Sequence, residues 1–178
     1  ERLFGLMAEV GNEETVATLD ALIATFGDAM APYAVRVVGT LAVEFKRVVA
    51  AEDEEEEDTV MMAMGILRAM ATMLDAISKH REIFPHLEAT ILPLMDFLVR
   101  EEASEYFEDA LEILGYLTFY APVPSDALVR LLPRLCVAGM HWAVEFSNQL
   151  LVPVNNIIGG NTAAFLAGVD DAGRSYPS

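Results

Sequence analysis

The sequence predicts an all-α protein built from antiparallel helix pairs. Apolar residues recur at helical spacing along nearly all of its 178 residues. No run of four to eight residues alternates apolar with polar as a half-buried strand would. Hydrophobic residues make up 54% of the chain, above the roughly 45–50% of an ordinary soluble domain, so many helices must be covered on more than one face.

Taken in order, the first helix starts after Asn12, a capping residue, and lines Val16, Leu19, Leu22, Ile23 and Phe26 along one stripe, with Gly27 and Asp28 closing it. Pro32 suits a first turn, and the second helix carries Val35, Val38, Leu41, Ala42, Phe45, Val48 and Val49 into an acidic run. The third, "DTVMMAMGILRAMATMLDAISKH", begins after Asp58 or Thr59 and places Val60, Met64, Leu67, Ala71 and Leu74 on one line and Ile66, Met70, Met73 and Ile77 on another. A helix apolar over most of its circumference needs neighbours on several sides. Lys79, His80 and Arg81 suit its C-terminal dipole.

The fourth helix presents Ile83, Leu87, Ile91, Leu94 and Leu98, and the fifth Phe107, Ala110, Leu111, Leu114 and Leu117 before Pro122 and Pro124 stop it. Ser125 caps the sixth, "DALVRLLPRLCVA", and a seventh follows Gly139, from about Met140 to Ile158. Beyond it, "NTAAFLAGVDDAGRSYPS" begins a periodic segment too short for a helix of normal length.

Helix starts near residues 13, 59, 104 and 141 lie 46, 45 and 37 residues apart, with two helices in each interval. That matches HEAT or armadillo arrays, about 40–47 residues per repeat, in which only the next pair covers the open face of the last. The expected architecture is an α-solenoid of about three to four HEAT-type pairs from a longer superhelix. Residues 1–12 end a preceding helix, and 13–51, 59–101 and 103–139 form repeats. Residues 52–58 make an acidic inter-repeat loop, and 140–178 an incomplete repeat and tail. Pro93 and Pro133, 40 residues apart within the fourth and sixth helices, predict a shared bend.

The formal charge is −17, against eleven lysines and arginines. This balance excludes direct nucleic-acid binding and an anionic membrane surface, both of which need basic residues to neutralise phosphate, and it favours basic protein partners. The longest uncharged stretch, residues 146–169, is broken by Asn148, Gln149, Pro153, Asn155, Asn156 and glycines, so it is not a membrane span. Cys136, the only cysteine, reads as a small buried hydrophobe. Trp142, Phe146 and the nine methionines read as core packing.

His80, His86 and His141 lack cysteines at zinc spacing, and no Glu-x-x-His pair, Gly-x-Ser-x-Gly or phosphate-binding glycine loop occurs. No enzyme, cofactor or metal site is expected. Chemistry concentrates instead in seven consecutive carboxylates: Glu52, Asp53, Glu54, Glu55, Glu56, Glu57 and Asp58. They repel one another and must project into water. Two readings fit them: a hydrated loop that keeps an apolar protein soluble, or a surface that captures basic partners. A calcium loop is disfavoured because it needs spaced ligands and a turn glycine.

At "PYAVRVVGTLAVEFKRVV", "TVMMAMGILRAMATMLDAISKH", "LEATILPLMDFLV", "EYFEDALEILGYLTF" and "LVRLLPRLC", the chain resembles the importin-beta (karyopherin) family, particularly its importin-seven and importin-eight branch. The resemblance runs in order from about residue 1 to about residue 168. It implies the middle of a long superhelical receptor that carries cargo between cytoplasm and nucleus, binds the GTPase Ran, and engages Phe-Gly nucleoporins. Basic cargo such as ribosomal proteins or histones is implied as well. The family's acidic linker falls on residues 52–58. "NNIIGGNTAAFLAGVDDAG" departs from the pattern, being glycine-rich where a further helix should form. A static HEAT scaffold without a transport role would share the periodicity.

Overall fold

A computed structural model describes residues 13–50, 56–169, 173, 175 and 176. The fold is all-α, of the HEAT-solenoid class. Among the described residues no strand ladder forms; Val169 and Ser175 make one isolated antiparallel bridge. The helices are α1 (Glu13–Met30), α2 (Ala34–Val49), α3 (Glu56–Ala76), α4 (Phe84–Leu98), α5 (Phe107–Tyr120), α6 (Asp126–Val129), α7 (Leu132–His141), α8 (Ser147–Gly160) and α9 (Thr162–Ala167). The chain divides into two compact units, Glu1–Ile91 and Leu92–Ser178, with the boundary inside α4.

In the first unit, α3 packs against both α1 and α2. Its two apolar lines explain why: Ile66, Leu67, Met70, Ala71, Met73 and Leu74 are all buried, as is Ile77 just past its end. On α2, Val38, Leu41, Ala42, Phe45 and Val48 are buried as the spacing predicts. Gly39 of α2 faces Thr90 of α4, whose Cγ2 would stand 3.7 Å from an added Cβ.

Several boundaries differ from expectation. The capping role given to Asn12 lies outside the described residues. α1 does not close at Gly27 and Asp28 but continues to Met30, and Pro32 then lies within a 3-10 turn, Ala31–Tyr33, rather than in the first turn of α2. Gly27 is a packing position: an added Cβ would fall 2.2 Å from Cβ of Ala76. The line through Ile23 and Gly27 faces α3, leaving Phe26, one step around the helix, 56% exposed.

α3 begins at Glu56, earlier than expected, because glutamate is a good helix former and carboxylates are favoured in a first turn. It ends at Ala76, so Lys79, His80 and Arg81 lie beyond its last turn. His80 instead bridges two elements: Nε2 lies 3.1 Å from Oδ1 of Asp28 at the end of α1, and Nδ1 3.6 Å from Oε1 of Glu82.

In the second unit, α5 packs against α8, and α7 and α9 also contact α8. A salt bridge of 2.9 Å joins Arg134 of α7 to Asp96 of α4. The main packing is thus between α1 and α3, with α2 also against α3, in the first unit, and between α5 and α8 in the second. α5 starts at Phe107 rather than near residue 104, because the preceding 3-10 segment, Glu101–Tyr106, breaks at Ala103 (φ −115°, ψ 25°). Phe107 is buried, its ring centroid 4.6 Å from that of Trp142 and 6.1 Å from that of Phe146, both edge-on. Core packing holds also for Met70, Met73 and Met95, whereas Met61 and Met140 are exposed.

Ser125 caps as expected. Its Oγ accepts from the backbone N–H of Ala127 (3.1 Å) and Leu128 (3.4 Å). Ser125→Ala should lower stability by about 1 kcal/mol, the usual worth of such a cap, read as a shift in the midpoint of chemical unfolding. The helix it starts is not continuous: it breaks into α6 and α7, and Pro133 occupies the first turn of α7. Proline costs nothing there because the missing N–H would be unpaired anyway. Pro93, by contrast, sits inside an unbroken α4, and Pro153 inside α8, so Pro93 and Pro133 do not occupy the matching interior places expected of them.

α7 runs through Gly139 and Met140 to His141, and α8 starts at Ser147, later than the expected Met140. Gly139 is another packing position, 3.2 Å from Leu150 Cδ1 to an added Cβ. The glycine-rich stretch does not end the helical pattern. α8 passes Gly159 to Gly160, and a further helix, α9, forms after all, with only six residues. Asn161 organises that corner: Oδ1 accepts from Ala164 N–H (3.2 Å), and Nδ2 donates to Pro124 O (2.8 Å) and Asp126 Oδ1 (3.2 Å).

Candidate functional site: an acidic helix start and an aromatic groove

The structure divides the seven-carboxylate run. Glu52, Asp53, Glu54 and Glu55 lie outside the described residues, while Glu56, Glu57 and Asp58 form the first turn of α3 and so are helical rather than part of a loop. Acidic residues are favoured in the first turn of a helix, at the positive end of its dipole. Asp58 is exposed. On the other side of the run, the last turn of α2 carries Lys46 and Arg47, with the Arg47 guanidinium paired to the Glu44 carboxylate. Each helix end thus carries the charge that its dipole favours.

Sequence reasoning missed a second feature, a groove of about 560 Å³ between α5 and α8. Tyr116, Phe119 and Tyr120 form its α5 wall, with Gly115 and Leu111 below them and Val152 opposite on α8. The Tyr116 and Tyr120 rings lie parallel, 5° apart in plane and 6.0 Å between centroids. Phe119 meets Tyr120 edge-on at 5.1 Å and is 64% exposed. Glu108 and Glu112 edge the groove on α5, and Gln149 and Asn156 on α8. Asn156 Nδ2 donates to Oγ1 of Thr118 (3.2 Å), which itself donates to Leu114 O (2.7 Å), so a part-buried polar pair ties the two walls together. The signal lay in the sequence: aromatics at i, i+3 and i+4, on the side of α5 away from Phe107 and Leu114, make a second apolar face.

Cys136 is exposed, contrary to expectation. It borders a cavity of about 360 Å³ with Leu132, Val137, Met140 and Phe165. Although the residue keeps access to solvent, desolvation by the mostly apolar cavity side pushes the thiol pKa up. Alkylation by iodoacetamide at pH 8 should therefore run severalfold slower than for a free cysteine, because only the thiolate reacts. A rate equal to that of free cysteine would contradict this desolvation of the thiol. Of the histidines, His86 and His141 are exposed and His80 makes the bridge described above. Among the described residues no group of three or more His, Cys, Asp or Glu side chains could hold a metal ion.

Comparison with known proteins gives the arrangement its context. The chain is 32% identical over 169 residues to an importin beta-like SAD2 homolog of Arabidopsis thaliana, an alignment covering 93% of this chain and 16% of that protein. It is 27% identical over 168 residues to a probable importin-7 homolog of Dictyostelium discoideum and 29% identical over 168 residues to human importin-8. The chain belongs to the importin-beta family. These alignments cover 93–94% of the chain but only 16% of each relative, so this importin segment spans about a sixth of the proteins it matches. No family profile matches it, and no solved structure matches it. HEAT-type helix pairs and nuclear-transport relatives agree with the resemblance carried by the sequence phrases.

Proposed function

We propose that this importin segment is part of a nuclear transport receptor. In that role it binds basic protein cargo such as ribosomal proteins or histones, responds to Ran GTPase, engages Phe-Gly nucleoporins, and moves between cytoplasm and nucleus without catalysing a reaction. Its repeats are α1–α2, α3–α4 and α5–α7, followed by an incomplete repeat from α8. Residues 52–58 serve as the capture element for cargo. The observation that supports this reading is a run of seven consecutive carboxylates in the sequence, the last three of them within α3, in a chain of formal charge −17 that belongs to the importin-beta family.

Physically, such a run works at a distance. Its field raises the encounter rate of a Lys- and Arg-rich partner and selects against acidic ones, contributing more to rate than to fixed contacts. Changing Glu54, Glu55, Glu56 and Glu57 together to serine should slow association of the whole protein with a basic cargo, on the order of tenfold at low ionic strength. The difference should disappear near 1 M salt, where the screening length falls to about 3 Å. Stopped-flow mixing with a labelled basic protein measures both. An unchanged rate at low salt would leave the run with a solubilising role only.

A further inference from the structure

We infer that the α5–α8 groove is a docking site for a linear segment pairing an aliphatic or aromatic anchor with arginine or lysine. This rests on the proposed basic partner, and it places one contact at a site separate in sequence from residues 52–58. The floor and the α5 wall are apolar: Leu111 below, Tyr116 and Tyr120 parallel to one another, and Phe119 left 64% exposed. A wall of that kind takes an apolar anchor. The rim decides what must flank the anchor. Glu108 and Glu112, one turn apart on α5, are both exposed at the groove edge, and among the described residues no lysine, arginine or histidine lines the groove.

Charge and ring geometry therefore point the same way. A guanidinium or ammonium group above the phenol faces gains cation–π attraction, and a carboxylate one turn away on the same helix can accept its N–H groups. Tyr116 Oη already lies 3.4 Å from Oε1 of Glu112, which holds that carboxylate beside the ring. On the opposite wall Asn156 is fixed through Thr118, and exposed Gln149 can pair with the backbone of an extended peptide. An uncharged Phe-Gly peptide would use the apolar wall and ignore the rim.

The test is fluorescence-anisotropy titration of the full chain with two labelled probes, a peptide alternating arginine with leucine and an uncharged peptide of Phe-Gly repeats. Glu108→Gln with Glu112→Gln should weaken the arginine peptide on the order of tenfold and leave the Phe-Gly peptide unchanged. Gly115→Leu should abolish arginine-peptide binding by filling the floor. Gly115→Ala should spare it, since an added Cβ there makes only an ordinary contact, 3.9 Å from Val152. Circular dichroism checks that each variant keeps its helices. Equal affinity of the double Gln variant for the arginine peptide, or tighter binding of the Phe-Gly peptide by the unmodified chain, overturns the proposal. The serine substitutions in residues 54–57 report separately, so the groove can fail while charge-driven capture stands.

Discussion

Replacing Phe107 by alanine is expected to be the most destabilising single change in the second unit, by about 3–5 kcal/mol. Phe107 is fully buried at the start of α5, and the rings of Trp142 and Phe146 meet it edge-on. Removing the ring deletes the apolar transfer term and leaves a cavity whose walls are two aromatics anchored on other segments, Trp142 just after α7 and Phe146 just before α8. The site cannot collapse without moving the α7–α8 connection, so most of the cavity term should persist. For a chain of this length the loss corresponds to a fall in thermal midpoint of roughly 10 °C. Phe107→Leu, which refills part of the space, should cost less than half as much. A loss below about 1 kcal/mol for the alanine variant would mean that the three rings do not form a packed core.

The second large effect has an unusual sign. Gly27→Ala lies inside a helix, where exchanging glycine for alanine normally stabilises by up to about 1 kcal/mol. Here it should destabilise by about 1–3 kcal/mol, the range for overpacking, because the new Cβ would lie 2.2 Å from Cβ of Ala76 and α1 would have to lift off α3. Ala76→Gly alone should cost up to about 1 kcal/mol in helix propensity. The double variant should recover much of the Gly27→Ala loss, giving a favourable coupling energy in a double-mutant cycle. Gly159→Ala in α8 serves as the contrast: nothing lies within 4 Å of its added Cβ, so it should show the ordinary stabilising sign. If Gly27→Ala behaves like Gly159→Ala, the close approach of α1 and α3 is wrong.

These two sites also show what the sequence could and could not say. The apolar stripes were legible because a 3.6-residue period leaves a direct trace: Leu67, Met70, Met73 and Leu74 were placed inside, and they are buried. Gly27 and Gly139 misled because glycine both stops helices and lets them touch, and only the partner, Ala76 or Leu150, tells which. Pro133 misled in a similar way: its ring fits a first turn as well as it breaks an interior, and the start of α7 depends on where the chain must turn. Ser125 was legible because a cap is a local contact. The acidic run was visible as composition, yet its division between the segment before α3 and the helix itself was not, since glutamate suits both. The α5–α8 groove escaped because its opposite wall comes from α8, more than thirty residues away.

Membership of the importin-beta family rests on identity along nearly the whole chain, while the proposed carrier role would depend on a nucleotide-controlled partner. Binding of Ran to the whole protein, measured with GTP-loaded and GDP-loaded forms by isothermal titration calorimetry, addresses that role most directly. A preference for the GTP form of at least about a hundredfold, in the range of a typical coupling energy of 1–3 kcal/mol, is the result predicted here. Equal affinity for the two forms, or no binding of either, would contradict the carrier role and leave a HEAT-type stack with an acidic helix start and no nucleotide control.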